Sequence, residues 1–250
     1  MNNGYFPWLG LLTAIFEITA AIWAIRISGR KSVRVLSASL LILLAVYQLL
    51  EVVICAKASK IILDDPRTLF LSRLAFIDVT WLPPLSLMLL SRIASPSPRW
   101  LKIYARITLM LAAIMSFWIL VDYRFITGTI CRFMYAAYSY VEPWFHIYGA
   151  FYEITQFSLI FVAIICMVRA DNILVRRQIG AVLTGALLYI LPAFFLGAIR
   201  PELVDTALPS ILCHFALIFA GFLVWMLRLE VSCAPKLAVD RNHLVKPDCI

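Results

Sequence analysis

The chain has 250 residues, 63% of them hydrophobic and only 14% charged, with a mean hydropathy of +0.93. Soluble domains are nearer half apolar and a quarter charged, so this composition excludes an ordinary soluble globular fold. The formal net charge is +8, but the basic residues flank apolar runs instead of forming one patch; they read as topology signals and contacts with anionic membrane lipid, and no nucleic-acid partner is expected.

Seven runs are long enough to cross a bilayer, which takes about 20 apolar residues: 7–25, 35–56, 70–91, 103–121, 146–168, 179–199 and 209–227. They lack the alternation of barrel strands and far exceed the roughly ten residues such strands need. The expected fold is therefore all-α, a polytopic bundle of seven transmembrane helices over residues 1–228. The opening MNNGYFPW carries no positive charge and the first run contains Glu17, so this run is expected to stay as a helix and not to be cleaved as a signal peptide. Residues 229–250, with Pro235 and Pro247, are expected to be a short disordered cytoplasmic tail.

Lys and Arg set the orientation. Fifteen lie in the loops 26–34, 92–106 and 169–178 and in the tail, against six in the loops on the other side. This places the N-terminus outside and the C-terminus in the cytoplasm, which an odd number of spans permits.

Along the chain, polar residues interrupt the apolar runs. Glu17 lies near the middle of the first span. In the second, Gln48, Glu51 and Cys55 follow i, i+3, i+7 and share a helix face. The third holds Arg73 and Asp78, five apart, and then Trp81-Leu82-Pro83-Pro84. Pro83 and Pro84, with Pro192 in the sixth span, each remove a backbone hydrogen bond and are candidate hinges. Pro96 and Pro98 end the third helix in the turn SPSPRW. The long loop 122–145 is rich in aromatic residues, with a short hairpin expected near Thr127-Gly128-Thr129; its rings read first as an interfacial belt and second as a lid. In the fifth span His146, Gly149, Glu153 and Gln156 share a face, and Cys213-His214 open the seventh.

An ionisable group in hydrocarbon costs about 2.5–3.5 kcal/mol on insertion scales, so each marks a site or an interhelical bond. Singly, each of these residues reads as a bonding group within the bundle. Together, gathered at one outer depth, Glu51, Arg73, Asp78, His146, Glu153, Gln156 and His214 read as an outward-open binding pocket. Cys55 and Cys131 are the leading disulfide candidates on the outer side, with Cys213 a further partner left open. His146 and His214 fall in no metal-binding spacing, so no metal and no cofactor are expected. GxSxG, HExxH and P-loop motifs are lacking, so no enzymatic activity is read from the chain. A retinal-binding protein is excluded too, since 209–227 has no lysine.

The layout resembles the seven-helix N-terminal sensor region of bacterial histidine kinases. The likeness rests on Glu51, Leu82-Pro83-Pro84, Arg176-Arg177-Gln178, Pro192 and Val204-Asp205-Thr206-Ala207-Leu208-Pro209. It implies a ligand sensed by the bundle, with Glu51 and Asp205 at recurrent positions, although those kinases continue into an output domain and this sequence ends after a short tail. The stretch LPSILCHFALIFA is similar to other bacterial seven-helix membrane proteins. The expectation is a receptor-like sensor in the plasma (bacterial inner) membrane, taking a small-molecule ligand from outside and signalling through a cytoplasmic protein. An ion-coupled carrier using Glu17, Glu51 and Glu153, or an assembly factor for a membrane complex, is the alternative.

Overall fold

The structure, a computed structural model, describes residues 7–56, 63–94, 97–131, 136–199 and 215–232. The elements are α1 (Pro7–Arg26), α2 (Lys31–Cys55), α3 (Pro66–Thr80), α4 (Leu82–Ile93), α5 (Arg99–Val121), β1 (Gly128–Cys131), β2 (Ala136–Ser139), α6 (Trp144–Val168) and α7 (Ile173–Ile199). A last helix, α8, covers Phe215–Ser232. With α3 and α4 joined as Pro66–Ile93, seven segments are long and apolar enough to span a membrane. The chain is thus a helical, multi-pass membrane protein.

Sidedness inverts as hydrocarbon solvent requires. On α5, Ile103, Ile107, Met110, Ile114, Phe117 and Val121 are exposed at spacings of three and four, forming a lipid-facing stripe. Its opposite face buries Leu101, Ala105, Thr108 and Ala112. The interior belongs to α2 and α4: α2 packs on α1, α3 and α4, and α4 also meets α5, α6 and α7. At Gly185 of α7 an added Cβ would come within 2.7 Å of Phe222 Cβ, so glycine lets α7 and α8 approach closely.

Several helices begin earlier than hydropathy indicates. α2 starts at Lys31, α3 at Pro66 and α5 at Arg99, because long basic side chains keep their heads in water while their stems join the helix. At the other end of the chain α8 continues to Ser232, so the tail boundary at 229 falls inside a helix. Its buried stripe, Leu223, Met226, Leu227 and Glu230, explains the extension; residues 233–250, with both tail prolines, lie outside the described residues.

The third span is broken, and the break differs from an internal proline kink. Pro83 and Pro84 occupy the first turn of α4, where their missing N–H groups cost nothing. The interruption falls on Trp81, whose N–H donates to Asp78 O at 3.2 Å. Pro192 sits inside α7, which continues to Ile199.

Between α5 and α6 lies an antiparallel hairpin, with Gly128 opposite Ser139 and Cys131 opposite Ala136. Thr127-Gly128-Thr129 therefore opens the first strand and is not the turn. Leu63, just ahead of α3, pairs with Thr129 through bonds of 2.8 and 2.9 Å. A disulfide joins Cys55, at the end of α2, to Cys131 of β1, with Cα atoms 5.6 Å apart. Phe125 and Tyr138 are buried; these rings pack into the bundle as a cap, which replaces the interfacial belt for them, while Tyr123 stays exposed.

The disulfide closes a loop of 76 residues, and losing such a bond typically costs about 2–5 kcal/mol. Cys55→Ser and Cys131→Ser are each expected to lower the thermal unfolding midpoint of the purified protein, and reductant to do the same to the wild type but not to the double variant.

Candidate functional site

A polar and aromatic interior runs from the hairpin end of the bundle to its opposite end. Beneath the hairpin, α2 turns Tyr47, Gln48 and Glu51 inward, all nearly completely buried, because positions three and four apart share a helix face. The Tyr47 hydroxyl lies 3.5 Å from that of Tyr138 on β2. Ser72 Oγ of α3 is 2.9 Å from Thr129 Oγ1 of β1. The Phe76 ring stands edge-on to Phe125, Tyr138, Phe145 and Tyr148 at 4.9–5.7 Å, an arrangement favoured by the ring quadrupole.

Further in, Thr80 Oγ1 donates to Phe76 O at 2.6 Å and lies 3.5 Å from the Tyr148 hydroxyl. The Tyr152 and Tyr189 hydroxyls are 3.1 Å apart, and Gln156 Nε2 donates to Tyr152 at 3.2 Å. Next to them is a cavity of about 10 Å³, lined by residues including Pro83, Ser86, Gln156 and Tyr189. That is space for a single water at most. Two acids lie at this middle level: Glu17, ten residues into α1, and Asp78, twelve residues into α3, which is about 15–18 Å along each helix at 1.5 Å per residue. Both are buried.

At the far end the chain closes with a clasp. Arg30 donates to Glu230 through its backbone N–H (2.8 Å), Nε (2.9 Å) and Nη2 (2.8 Å). Its Nη2 also reaches Gln178 Oε1 at 3.1 Å, and Gln178 Nε2 donates to Glu230 Oε2 at 2.8 Å. Nη1 meets the end of α4, donating to Arg92 O and Ile93 O at 3.1 and 3.4 Å. One arginine thus ties the α1–α2 turn to α4, α7 and α8. Gly29, at φ +133°, makes the turn possible, and an added Cβ there would sit 2.7 Å from Glu230 Cγ. At the same end a separate cavity of about 210 Å³ is lined by residues including Trp100, Cys166 and Arg169.

The residues singled out in sequence separate into groups. Glu51 and Gln156 are interior. Asp78 is also interior but lies deeper than Glu51, so the acids do not share one depth. Arg73 points away from Asp78: its Nη1 donates to Leu120 O of α5 at 3.3 Å and its guanidinium lies 5.9 Å from the Phe70 ring centroid. His146 and Glu153 are exposed, and His146 pairs with Glu142 at 3.1 Å. The inward stripe of α6 is Tyr148, Tyr152, Thr155, Gln156 and Leu159; this aromatic-rich face wins the core, which turns His146 and Glu153 outward and overturns the shared inward face expected for them. His214, Cys213 and Asp205 lie outside the described residues.

Sequence reasoning missed Arg30, Gln178 and Glu230. Arg30 counted as a topology signal, Gln178 as one letter of a motif, and Glu230 as tail. A signal for Glu230 existed, since it follows Leu223, Met226 and Leu227 at i+7, i+4 and i+3 on one face. Among the described residues no group of three or more His, Cys, Asp or Glu could hold a metal ion.

No protein-family model matches the sequence, and no curated protein or solved structure is significantly similar to it.

Removing one partner of a buried ion pair strands the other, at a cost of several kcal/mol, whereas replacing both is far milder. Arg30→Met is expected to destabilise the protein by roughly 3 kcal/mol and Arg30→Met with Glu230→Met by clearly less, read as thermal midpoints. A double variant worse than the sum of the singles would remove the clasp from the account.

Proposed function

We propose that this chain is a receptor-like sensor of the plasma (bacterial inner) membrane, with its hairpin end outside and its clasp end in the cytoplasm. A small ligand binds among the buried polar side chains beneath the hairpin, and the bundle passes the event to a separate cytoplasmic signalling protein. The observation that carries this reading is the unbroken connection between the ends. The disulfide-tied hairpin touches Phe76 and Tyr47; Phe76 stands two residues before Asp78 and five before the break at Trp81; α4 below the break ends on Arg30. A ligand that prefers one arrangement of the hairpin would shift the population of the whole chain of contacts.

Two independent features support the sidedness. Lys and Arg concentrate at the clasp end, and the disulfide lies at the hairpin end, suited to an oxidising compartment. The interior beneath the hairpin holds a buried carboxylate, Glu51, on the α2 face that also carries Tyr47 and Gln48, with the Tyr47 hydroxyl 3.5 Å from that of Tyr138. Such a set suits a small ligand that is cationic or rich in hydrogen-bond donors. The resemblance to kinase sensor bundles points to the same class of role.

Thermal-shift screening of small amines and other polar solutes on the purified protein is expected to yield a stabilising ligand. Glu51→Gln should weaken its binding at least tenfold while leaving the unliganded midpoint nearly unchanged. Solute uptake into proteoliposomes that Glu51→Gln abolishes would overturn the sensor in favour of a carrier. Membrane-impermeant thiol labelling of single cysteines placed at Ser139 and Asn172 is expected to modify the first from outside and the second only after permeabilisation; the reverse pattern defeats the orientation and the receptor with it.

A further inference from the structure

Glu17 lies deeper than the polar residues beneath the hairpin and stands apart from the clasp. It is fully buried, and neither carboxylate oxygen has a hydrogen-bond partner. Asp78 is more than nine-tenths buried and its Oδ2 has no partner either. Both lie at the same level of the bundle, about 15–18 Å from the hairpin end along α1 and α3. Two such acids cannot both stay ionised at mid-membrane depth without a counter-charge, since low-dielectric surroundings penalise each buried charge.

Among the described residues no basic side chain supplies that charge. Among the described residues the ion pairs are Arg30–Glu230, Arg124–Asp122 and His146–Glu142, and none reaches Glu17 or Asp78. On α3 itself Arg73 is turned to Leu120 of α5. From α2 the facing titratable groups are Tyr47 and Glu51, which lie nearer the hairpin, while Arg34 donates to Ile25 O and Ile27 O at the end of α1. Lys102 and Arg106 of α5 and Arg92 of α4 are exposed, and β1 brings only the disulfide cysteine. A divalent ion needs more ligands than two carboxylates give, and among the described residues no group of three or more His, Cys, Asp or Glu could hold one. A proton needs no such shell.

We propose that Glu17 and Asp78 form an intramembrane proton-binding site, one proton held by the pair and exchanged as the bundle changes arrangement. Binding adds the proton to a carboxylate oxygen and removes one negative charge from the interior; release restores the charge. The site adjoins the break in the third span, because the Asp78 carbonyl accepts the Trp81 N–H that closes α3. Proton binding and release therefore act on the junction between α3 and α4. This inference is independent of the ligand site proposed at Glu51 and holds for a sensor or a carrier alike.

Infrared difference spectroscopy on the full chain in lipid bilayers tests it. At neutral pH the wild type should show a protonated carboxyl C=O band that shifts in heavy water and disappears on alkaline titration. Glu17→Gln and Asp78→Asn should each remove or shift that band, and Glu51→Gln should leave it in place. Both amides resemble the neutral acid, so both variants should fold with near wild-type midpoints; should one fail, Glu17→Asp or Asp78→Glu is expected to fold and keep the band at a displaced frequency. A wild type with no such band at neutral pH overturns the proposal. So does a band untouched by either substitution, or one removed by sodium at constant pH, which would make the pair a cation site.

Discussion

Hydrocarbon neither donates nor accepts a hydrogen bond, and every other feature of this bundle answers to that. Backbone groups are satisfied by helices, and polar side chains must find partners inside the protein. The result is an inside-out distribution in which Ile, Phe and Leu cover the surface while Glu17, Gln48, Glu51, Asp78, Gln156 and Gln178 are buried. Burial of apolar area distinguishes inside from outside poorly in lipid, so the polar contacts carry the specificity of packing.

The basic residues illustrate how one requirement serves two ends. Lys and Arg concentrate at the clasp end, the pattern a count of topology signals reads, yet several also bond within the fold. Arg34 donates to the last carbonyls of α1 and Arg30 to the last carbonyls of α4, where the helix dipole favours a cation. Only with Gly29 at positive φ does the α1–α2 turn bring Arg30 against Glu230. A count of charges by loop recovers the first role and is blind to the second, because the second depends on which helix ends become neighbours.

The same distinction governs what was legible in the sequence. Span number and helical class follow from run length alone, a local property. The pairing of Cys55 with Cys131 was within reach because both were placed at one end and only Cys213 competed. The interior of α6 was not legible. His146, Glu153 and Gln156 fall within one broad arc, and the choice between this arc and the one carrying Tyr148, Tyr152 and Leu159 is made by α4 and α7, which pack against it. Polar spacing identified a face; it could not weigh that face against an aromatic one. For α8 the error was a boundary: Glu230 looked like tail because its partners are 52 and 200 residues away.

The distribution of bond strengths along the bundle argues that its middle is where change occurs. The hairpin end is covalently tied, and the clasp end is held by a charged, multiply bonded pair at 2.8–2.9 Å. Between them Thr80–Tyr148 stands at 3.5 Å, the outer limit of a useful hydrogen bond, beside the Tyr152–Tyr189 and Gln156–Tyr152 bonds at 3.1 and 3.2 Å. Trp81 breaks the third span at the same level, and Glu17 and Asp78 have oxygens with no partner there. A bundle built only for stability would reverse this order, since an unsatisfied polar atom is most costly where the dielectric is lowest. On the proposed sensor reading, firm ends around a less tightly bonded centre would let an input at one face bias the other.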